Sequence, residues 1–398
     1  MTNKKIAIWG CGDIGHKFIK KYKDKVKIDY IVDSKVENQE LINIEGVEYS
    51  VFNLEYLRVN PTFVIVCIKN SKEQIYSKLK EFGMTMFNDF VPYTEFDEDS
   101  IDSEQLKYVN ATEYIEQKQK KRKIAAFYGT CHMAVYKDSL KRIKAFTDEY
   151  VILDLPLISE TEAGGYPFLK EKWIWEKCDL VVANQIFAIN SYGVWDTQKV
   201  LDIAVNAKKL VITNAYFEGY FPQWCTSRNP KFRQIFAWED KNINRMIEQK
   251  YSENEIIARI KDKDFYKEDE ITQYFEKNLN VLKKQEQLCD IKMCDFISLN
   301  KNKSILFRSW THPTDDFFVE LIRRLLNELK IKGEPEVYVK LNVHEQIIYP
   351  SVIKALNIVD YDTFQRTVNP GNITENLNFE QYIVKYISMK KMQEAQIG

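Results

Sequence analysis

Apolar runs of about five residues alternate along the chain with longer amphipathic stretches, the pattern of strands punctuated by helices. Lys5–Gly10 (KIAIWG) predicts a strand, and His16–Tyr22 a helix. Lys27–Val32 (KIDYIV) and Phe63–Ile68 (FVIVCI) predict two further strands. Ser71-Lys-Glu-Gln74 has the form of a capping box. It opens a helix with Ile75, Leu79 and Phe82 on one face, closed by Gly83. By about Phe96 the pattern gives way to an acidic, turn-like stretch, Asp97–Gln105, and then to a polar helix over Glu113–Lys123. That stretch is too short for more than half of a full dinucleotide-binding sheet. The expected organisation is therefore a short Rossmann-like parallel-sheet domain over 1–96, a linker and connector helix over 97–122, and a larger α/β domain over 123–398.

In the larger domain the alternation restarts. Ile124–Tyr128, Tyr150–Ile158, Leu180–Ala183 and Leu210–Thr213 read as strands. Met133, Tyr136, Leu140 and Ile143 fall at helical spacing after the first of them. Parallel sheets hold ligands at the carboxyl ends of their strands. Cys131, Asn184, Gln185 and Asn214 are therefore expected at one rim. Asp240–Lys303 is charged and mostly helical, an insertion with a capping box at Ser252–Glu255 and an apolar stripe of Ile271, Phe275, Leu279 and Leu282. Ile305–Phe307 then leads through Arg308-Ser-Trp-Thr-His-Pro313 to Thr314, placed to cap a long helix. Asp315 and Asp316 in its first turn suit the helix dipole.

A chain of 398 residues with net charge −1 exposes no basic field for nucleic acid. Seven cysteines without a CxxC pair give neither a disulfide framework nor a zinc-finger spacing, and no metal site is expected. No apolar run is long enough to span a bilayer, and the chain runs into a strand with no signal peptide. A reducing, cytoplasmic location is the expectation. Aromatic content is high, with 23 Tyr, 23 Phe and 7 Trp. Much of it lies in Tyr216–Trp238, a segment that either folds onto the core or forms a platform for sugar faces.

Two turns carry candidate chemistry. Gly10, Gly12 and Gly15 complete GCGDIG between strand and helix, and Asp33 ends the next strand. That is the order of a nucleotide-binding turn, with Asp13 and Ile14 inside it and Asp33 placed for ribose hydroxyls. The alternative is a compact strand-to-helix turn. The second is Gly129-Thr130-Cys131-His132, where a strand hands a cysteine to a helix start. A helix N-terminus is expected to lower a thiol's pKa. Cys131 is a nucleophile candidate there, or else a small buried apolar residue. His312, on a loop before a helix, is the first candidate base, with His132 the second; His132 alternatively faces the helix's buried side. His16 and His344 read as structural. The backbone N–H groups after Gly129, with Asn184 or Gln185, are the oxyanion candidates. Arg228, Lys231 and Arg233, and Arg308 with Trp310, are the candidates to meet phosphates or the cofactor.

The segments GTCH (129–132), DLVVANQ (179–185), ITNAYFEGYFPQ (212–223), LFRSWTHPTDDFF (306–318) and IYPSVIKALNI (348–358), in that order, resemble the WcbI family of capsular polysaccharide biosynthesis proteins over roughly 123–360. The resemblance implies an α/β domain with affinity to SGNH-type hydrolases. It further implies a coenzyme A-binding protein, an acetyltransferase whose partner is a sugar or polysaccharide acceptor. The chain departs from the family's Gly-Asn-Cys-Gln at Thr130 and His132, and from the family's asparagine before His-Pro at Thr311. The first domain resembles the N-terminal domain of sialic-acid O-acetyltransferase-type sugar acyltransferases, which implies a nucleotide or nucleotide-sugar ligand. Its role as a substrate site, a regulatory site or a homo-oligomer contact stays open. Two other readings stand beside acyl transfer: an SGNH-like esterase, weakened because Ser309 rather than Asp precedes His312 by three, and a non-catalytic nucleotide-sugar-binding protein.

Overall fold

A computed structural model describes residues 5–24, 26–60, 62–68, 72–84, 89–93, 122–153, 155, 157–158, 172–186, 195–226, 232, 236, 238–339, 345–359 and 377–397. The chain divides into two units, Met1–Met133 with Lys144–Lys209, and Ala134–Ile143 with Leu210–Gly398. The capping residue Ser71, the connector 97–121, Arg228, Lys231, Arg233 and His344 lie outside the described residues.

The first unit begins with β1 (Lys5–Trp9), α1 (Asp13–Tyr22), β2 (Tyr30–Val32), β3 (Glu40–Ile44) and β4 (Val47–Phe52). It continues with α2 (Tyr56–Val59), β5 (Thr62–Val66), α3 (Lys72–Glu81) and β6 (Phe90–Pro92). Their sheet has the order β3-β4-β2-β1-β5-β6. All neighbours are parallel except β3 and β4, which form a hairpin. The sheet is thus wider than the half-sheet expected. The extra strands are short or carry exposed polar positions, so they lack the apolar run that marks β1 and β5. The hairpin turns at Glu45 and Gly46, both at positive φ, and Asn43 Oδ1 accepts the Gly46 N–H at 3.1 Å.

The glycine turn after β1 is closed by the chain itself. Gly10 sits at φ 110 and donates its N–H to Val32 O at 2.9 Å. A Cβ on Gly15 would fall 2.0 Å from Gly10 O, so only glycine fits. At Gly12 nothing lies within 4 Å. Asp33 accepts the backbone N–H of Cys11 on Oδ2 at 2.9 Å and of Lys35 on Oδ1 at 3.0 Å. Burial raises its pKa, but those hydrogen bonds outweigh burial and hold it below the usual carboxylate range.

A second parallel sheet follows. It uses β7 (Lys123–Tyr128), then α4 (His132–Lys141), α5 (Lys144–Glu149), β8 (Tyr150–Ile152), α6 (Lys172–Glu176) and β9 (Leu180–Asn184). After α7 (Thr197–Ile203), β10 (Lys208–Ile212) takes the edge beside β9, giving the order β10-β9-β7-β8. β7 pairs in parallel with β8 and with β9, and is buried from Ala125 to Tyr128, as an internal parallel strand must be. The predicted strand over Tyr150–Ile158 ends at Ile152.

In the second unit, β11 (Trp224–Thr226) and β12 (Trp238–Asp240) form an antiparallel pair. The charged insertion folds as α8 (Lys241–Glu248), α9 (Glu253–Lys261), α10 (Glu268–Gln285) and α11 (Cys294–Asn300). The capping box at Ser252 and Glu255 is present, and the stripe on α10 is buried. β13 (Phe307–Ser309) and β14 (His312–Pro313) make a tight hairpin before α12 (Asp315–Leu329), and α13 (Pro350–Ala355) and α14 (Phe379–Ile397) follow. Thr314 takes the N-cap position of α12, but its hydroxyl donates to Leu306 O at 3.2 Å instead of capping the helix.

Asp240 is buried at the start of α8. It accepts the N–H groups of Asn242 and Ile243 and the Tyr349 hydroxyl at 2.7 Å. Burial nevertheless pushes its pKa up to about 6.

Two predictions follow from these packing constraints. Gly15→Ala is expected to cost at least ~2 kcal/mol in denaturant unfolding while Gly12→Ala stays within ~1 kcal/mol; equal costs would contradict the turn geometry. Because Asp240 binds its proton more tightly folded than unfolded, it removes stability as pH rises from the ordinary carboxylate range to about 6. Asp240→Asn, which keeps the cap, should therefore gain up to about 3 kcal/mol on the parent across that window. A parallel pH dependence of the two melting temperatures would rule this out.

Candidate active site

Two clusters of candidate residues are built, one in each unit. The first stands at the carboxyl end of β7. Gly129 ends the strand and its O accepts the Ile158 N–H at 3.0 Å. A Cβ at Gly129 would meet Asn184 Oδ1 at 2.4 Å and Met133 Cε at 2.8 Å. The glycine is therefore required by the Asn184 amide, which is fully buried at the end of β9. Asn184 is in turn held through its backbone: Thr197 Oγ1 donates to Asn184 O at 2.5 Å and accepts the Ile186 N–H at 2.8 Å. Gly129, Thr130 and Cys131 follow β7, and Asn184 and Gln185 stand at the end of its neighbour β9.

Cys131 is half-buried at the start of α4. Burial pushes its thiol pKa up, and the N–H groups of Cys131 and His132 pull it down without overcoming burial. The expected lowered pKa is therefore corrected. A helix start helps a thiolate only while water can also reach it. His132 is fully buried on the inner side of α4, and Thr130 Oγ1 is a buried hydroxyl with no hydrogen-bond partner among the described residues.

The second cluster is the β13–β14 hairpin. His312 Nδ1 lies 2.9 Å from Thr311 Oγ1 and 3.1 Å from Ser309 Oγ. Two hydroxyls therefore meet the ring at Nδ1 and restrain its orientation. Both are the residues at which the chain departs from the patterns weighed above: Thr311 from the family's asparagine, Ser309 from an esterase's aspartate. Arg308 donates to Asp315 Oδ1 at 2.8 Å and lies 3.7 Å from Glu345, so its charge is already balanced. Trp310 stacks on Trp224 with centroids 4.6 Å apart and meets Trp238 and Tyr216 edge-on. The Phe217 N–H donates to Trp310 O at 2.7 Å, which ties the segment following Asn214 to this hairpin. Asn214 Oδ1 is buried with no hydrogen-bond partner among the described residues. The nucleotide-binding candidates Gly10, Gly12, Asp13, Ile14, Gly15 and Asp33 form their own turn in the first unit.

Sequence reasoning missed the roles of Thr197 and Gln346. Thr197 holds the Asn184 backbone, and Gln346 Oε1 accepts the Trp310 N–H at 3.1 Å. Neither carries a local motif; each acts on a segment distant in sequence.

Parallel strands delivering a cysteine, a buried histidine and amides to one rim define an α/β enzyme scaffold. The model of the polysaccharide biosynthesis enzyme WcbI family matches residues 125–334, more than half of the chain, and the protein belongs to that family. A solved WcbI structure shares the fold, with a TM-score of 0.56 at 16% identity over 68% of this chain and 90% of that one. It is described as a novel polysaccharide biosynthesis enzyme, in its native form without a disulfide bond between coenzyme A and one of its cysteines. Among curated proteins no relative matches. Among the described residues no helix is long and apolar enough to cross a membrane.

The raised thiol pKa has a direct consequence. Iodoacetamide should alkylate Cys131 more slowly near neutral pH in the folded protein than in the unfolded chain, with the rate still climbing above about pH 8.5, the ordinary thiol value. Peptide mapping of labelled protein reads this site by site, and a rate that has levelled off by neutral pH would refute it.

Proposed function

We propose that the protein transfers an acyl group, acetyl being the first choice, from coenzyme A to a hydroxyl of a sugar in surface polysaccharide biosynthesis. The observation that carries this reading is the cysteine at the β7–α4 turn, inside the family-matched segment, taken with the coenzyme A and cysteine named together for the solved WcbI. In this reading the thioester lies against Cys131. His312 Nε2 takes the proton of the sugar hydroxyl, and the hydroxyl oxygen bonds to the thioester carbonyl carbon. The carbon–sulfur bond then breaks, and the histidine returns its proton to the departing thiolate. The N–H groups that follow Gly129, with Asn184 or Gln185, hold the carbonyl oxygen as it gains charge.

The protonated state favoured by burial supports the direct route over an acyl-cysteine, because a neutral thiol is a poor nucleophile. Thr130 and His132 are the neighbours of Cys131 proposed to support this chemistry, and Asn214 and Trp310 remain candidates for the substrate and the cofactor. Arg228 is a candidate for coenzyme A phosphates, and Arg308 for orienting the hairpin through Asp315. The turn at Gly10–Gly15 takes a nucleotide or nucleotide sugar, approaching at Gly12, where the backbone is open.

His312→Ala should lower turnover by ~10²–10⁴ while Cys131→Ala stays within ~10-fold of the parent. The measurement is acetyl-coenzyme A-dependent acetylation of a panel of saccharides, read by mass spectrometry. Full activity of His312→Ala would defeat the proposed base. Abolished activity in Cys131→Ala, with acetyl trapped on the parent's Cys131, would replace the direct route by an acyl-enzyme.

A further inference from the structure

The charged insertion holds a cavity of about 840 Å³ with no role in the transfer chemistry just described. Four cations line it: Lys241 and Arg245, one turn apart on α8, Arg259 near the end of α9, and Lys277 on α10. None of the four makes an ion pair among the described residues, although surface cations here commonly find partners, as Lys78, Lys144 and Arg142 do. Arg259 is instead laid over the Tyr251 ring at 4.6 Å, which restrains its guanidinium. Of the three lining carboxylates, Asp264 is already paired with Lys354 at 2.5 Å. Asp262 and Glu270 remain against four cations, so the cavity carries an excess of positive charge in a chain whose net charge is −1.

The rest of the wall is aromatic and rigid. Phe265, Tyr266 and Tyr274 line it beside Pro222. Tyr266 stacks on Tyr349, whose hydroxyl donates to the buried Asp240, and Asn242 Nδ2 donates to the Tyr266 hydroxyl. That network sets the ring before any ligand arrives. Tyr274, on the cavity wall, donates its hydroxyl to Glu218 at 3.3 Å, six residues before Trp224 in the chain. Trp224 stacks on Trp310, two residues ahead of His312. Indole N–H groups of Trp310 and Trp238 are buried there with no partner among the described residues. Flat aromatic faces and cations outside ion pairs together fit sugar rings that bear negative charge.

We propose that this cleft between α8 and α9–α10 is a subsite for an anionic saccharide unit of the acceptor chain, with the Trp224–Trp310 stack as the adjoining ring platform. The acceptor is then an acidic oligosaccharide or polymer, held at a unit other than the one acylated. The inference rests on the acyltransferase reading for the word acceptor, but not for the binding itself.

The test is calorimetric titration of the full chain with trigalacturonate and with a sialic acid trimer, beside maltotriose, UDP and coenzyme A. At least one acidic trimer should bind at least tenfold tighter than maltotriose and weaken with salt. Arg245→Ala/Arg259→Ala should lose at least tenfold in that affinity, with its melting temperature and coenzyme A binding unchanged; both side chains are exposed, so folding should not be at stake. Trp224→Ala should weaken both acidic and neutral trimers. Acidic trimers that bind no better than maltotriose, or a double variant that binds them like the parent, would overturn the proposal. So would loss of UDP or coenzyme A binding in the double variant, which would make the cleft a nucleotide phosphate site. Acidic-trimer binding without any acetyl transfer would defeat the acyltransferase reading alone, and acetyl transfer without acidic-trimer binding would defeat the subsite alone.

Discussion

Gly129 and Asn184 share a space that admits only one side chain. The amide of Asn184 fills the place a Cβ would take at the end of β7, 2.4 Å from its oxygen. From this follow the glycine, the sharp exit of the strand and the start of α4 at His132, and with them the position of Cys131 on the rim. The amide itself stands where it does because β9 runs parallel to β7 and Thr197 grips the backbone at its end. A substitution on β9 or α7 would therefore be felt at the cysteine without touching it.

The turn after β1 solves the same problem differently. There too a glycine ends a parallel strand and a helix begins at once. What packs against Gly15 is the carbonyl of Gly10, and what closes the turn is the Asp33 carboxylate. An acid whose two oxygens accept Cys11 and Lys35 N–H groups is held in place by the fold. At the second turn, by contrast, an amide is turned onto the strand end and a cysteine stands beside it. The two turns look alike as sequence and differ in which polar group the chain itself consumes.

Periodicity made the parallel strands legible because buried strands are continuous apolar runs: β1, β5, β7 and β9 each read plainly. The β3–β4 hairpin did not, because its exposed polar positions, such as Glu40 and Glu48, interrupt the pattern. Both rim residues and the His312 loop were readable, since Gly, Pro and helix-cap residues punctuate them. The thiol's state was not readable, because a helix start argues for a lowered pKa and only the packing shows that burial prevails. Thr314 shows a similar limit: it occupies the cap position, but a carbonyl from Leu306 competes for its hydroxyl. The partners of His312 were visible as residues, Ser309 and Thr311, while their convergence on one ring nitrogen depends on the two-strand hairpin. The family likeness was read over roughly 123–360 and the family match covers 125–334, so four of the five motifs lie within it and the one at 348–358 lies beyond.

Acyl transfer at the end of β7 requires coenzyme A to lie against Cys131, one of seven cysteines in the chain. The direct measurement is incubation of the native protein with oxidised coenzyme A at about pH 8, followed by peptide mapping of mixed disulfides. A coenzyme A adduct is expected on Cys131 ahead of Cys11 and Cys225, the other two half-buried thiols, with its suppression by excess acetyl-coenzyme A. Adducts spread evenly over those three cysteines, or one that acetyl-coenzyme A fails to suppress, would contradict it.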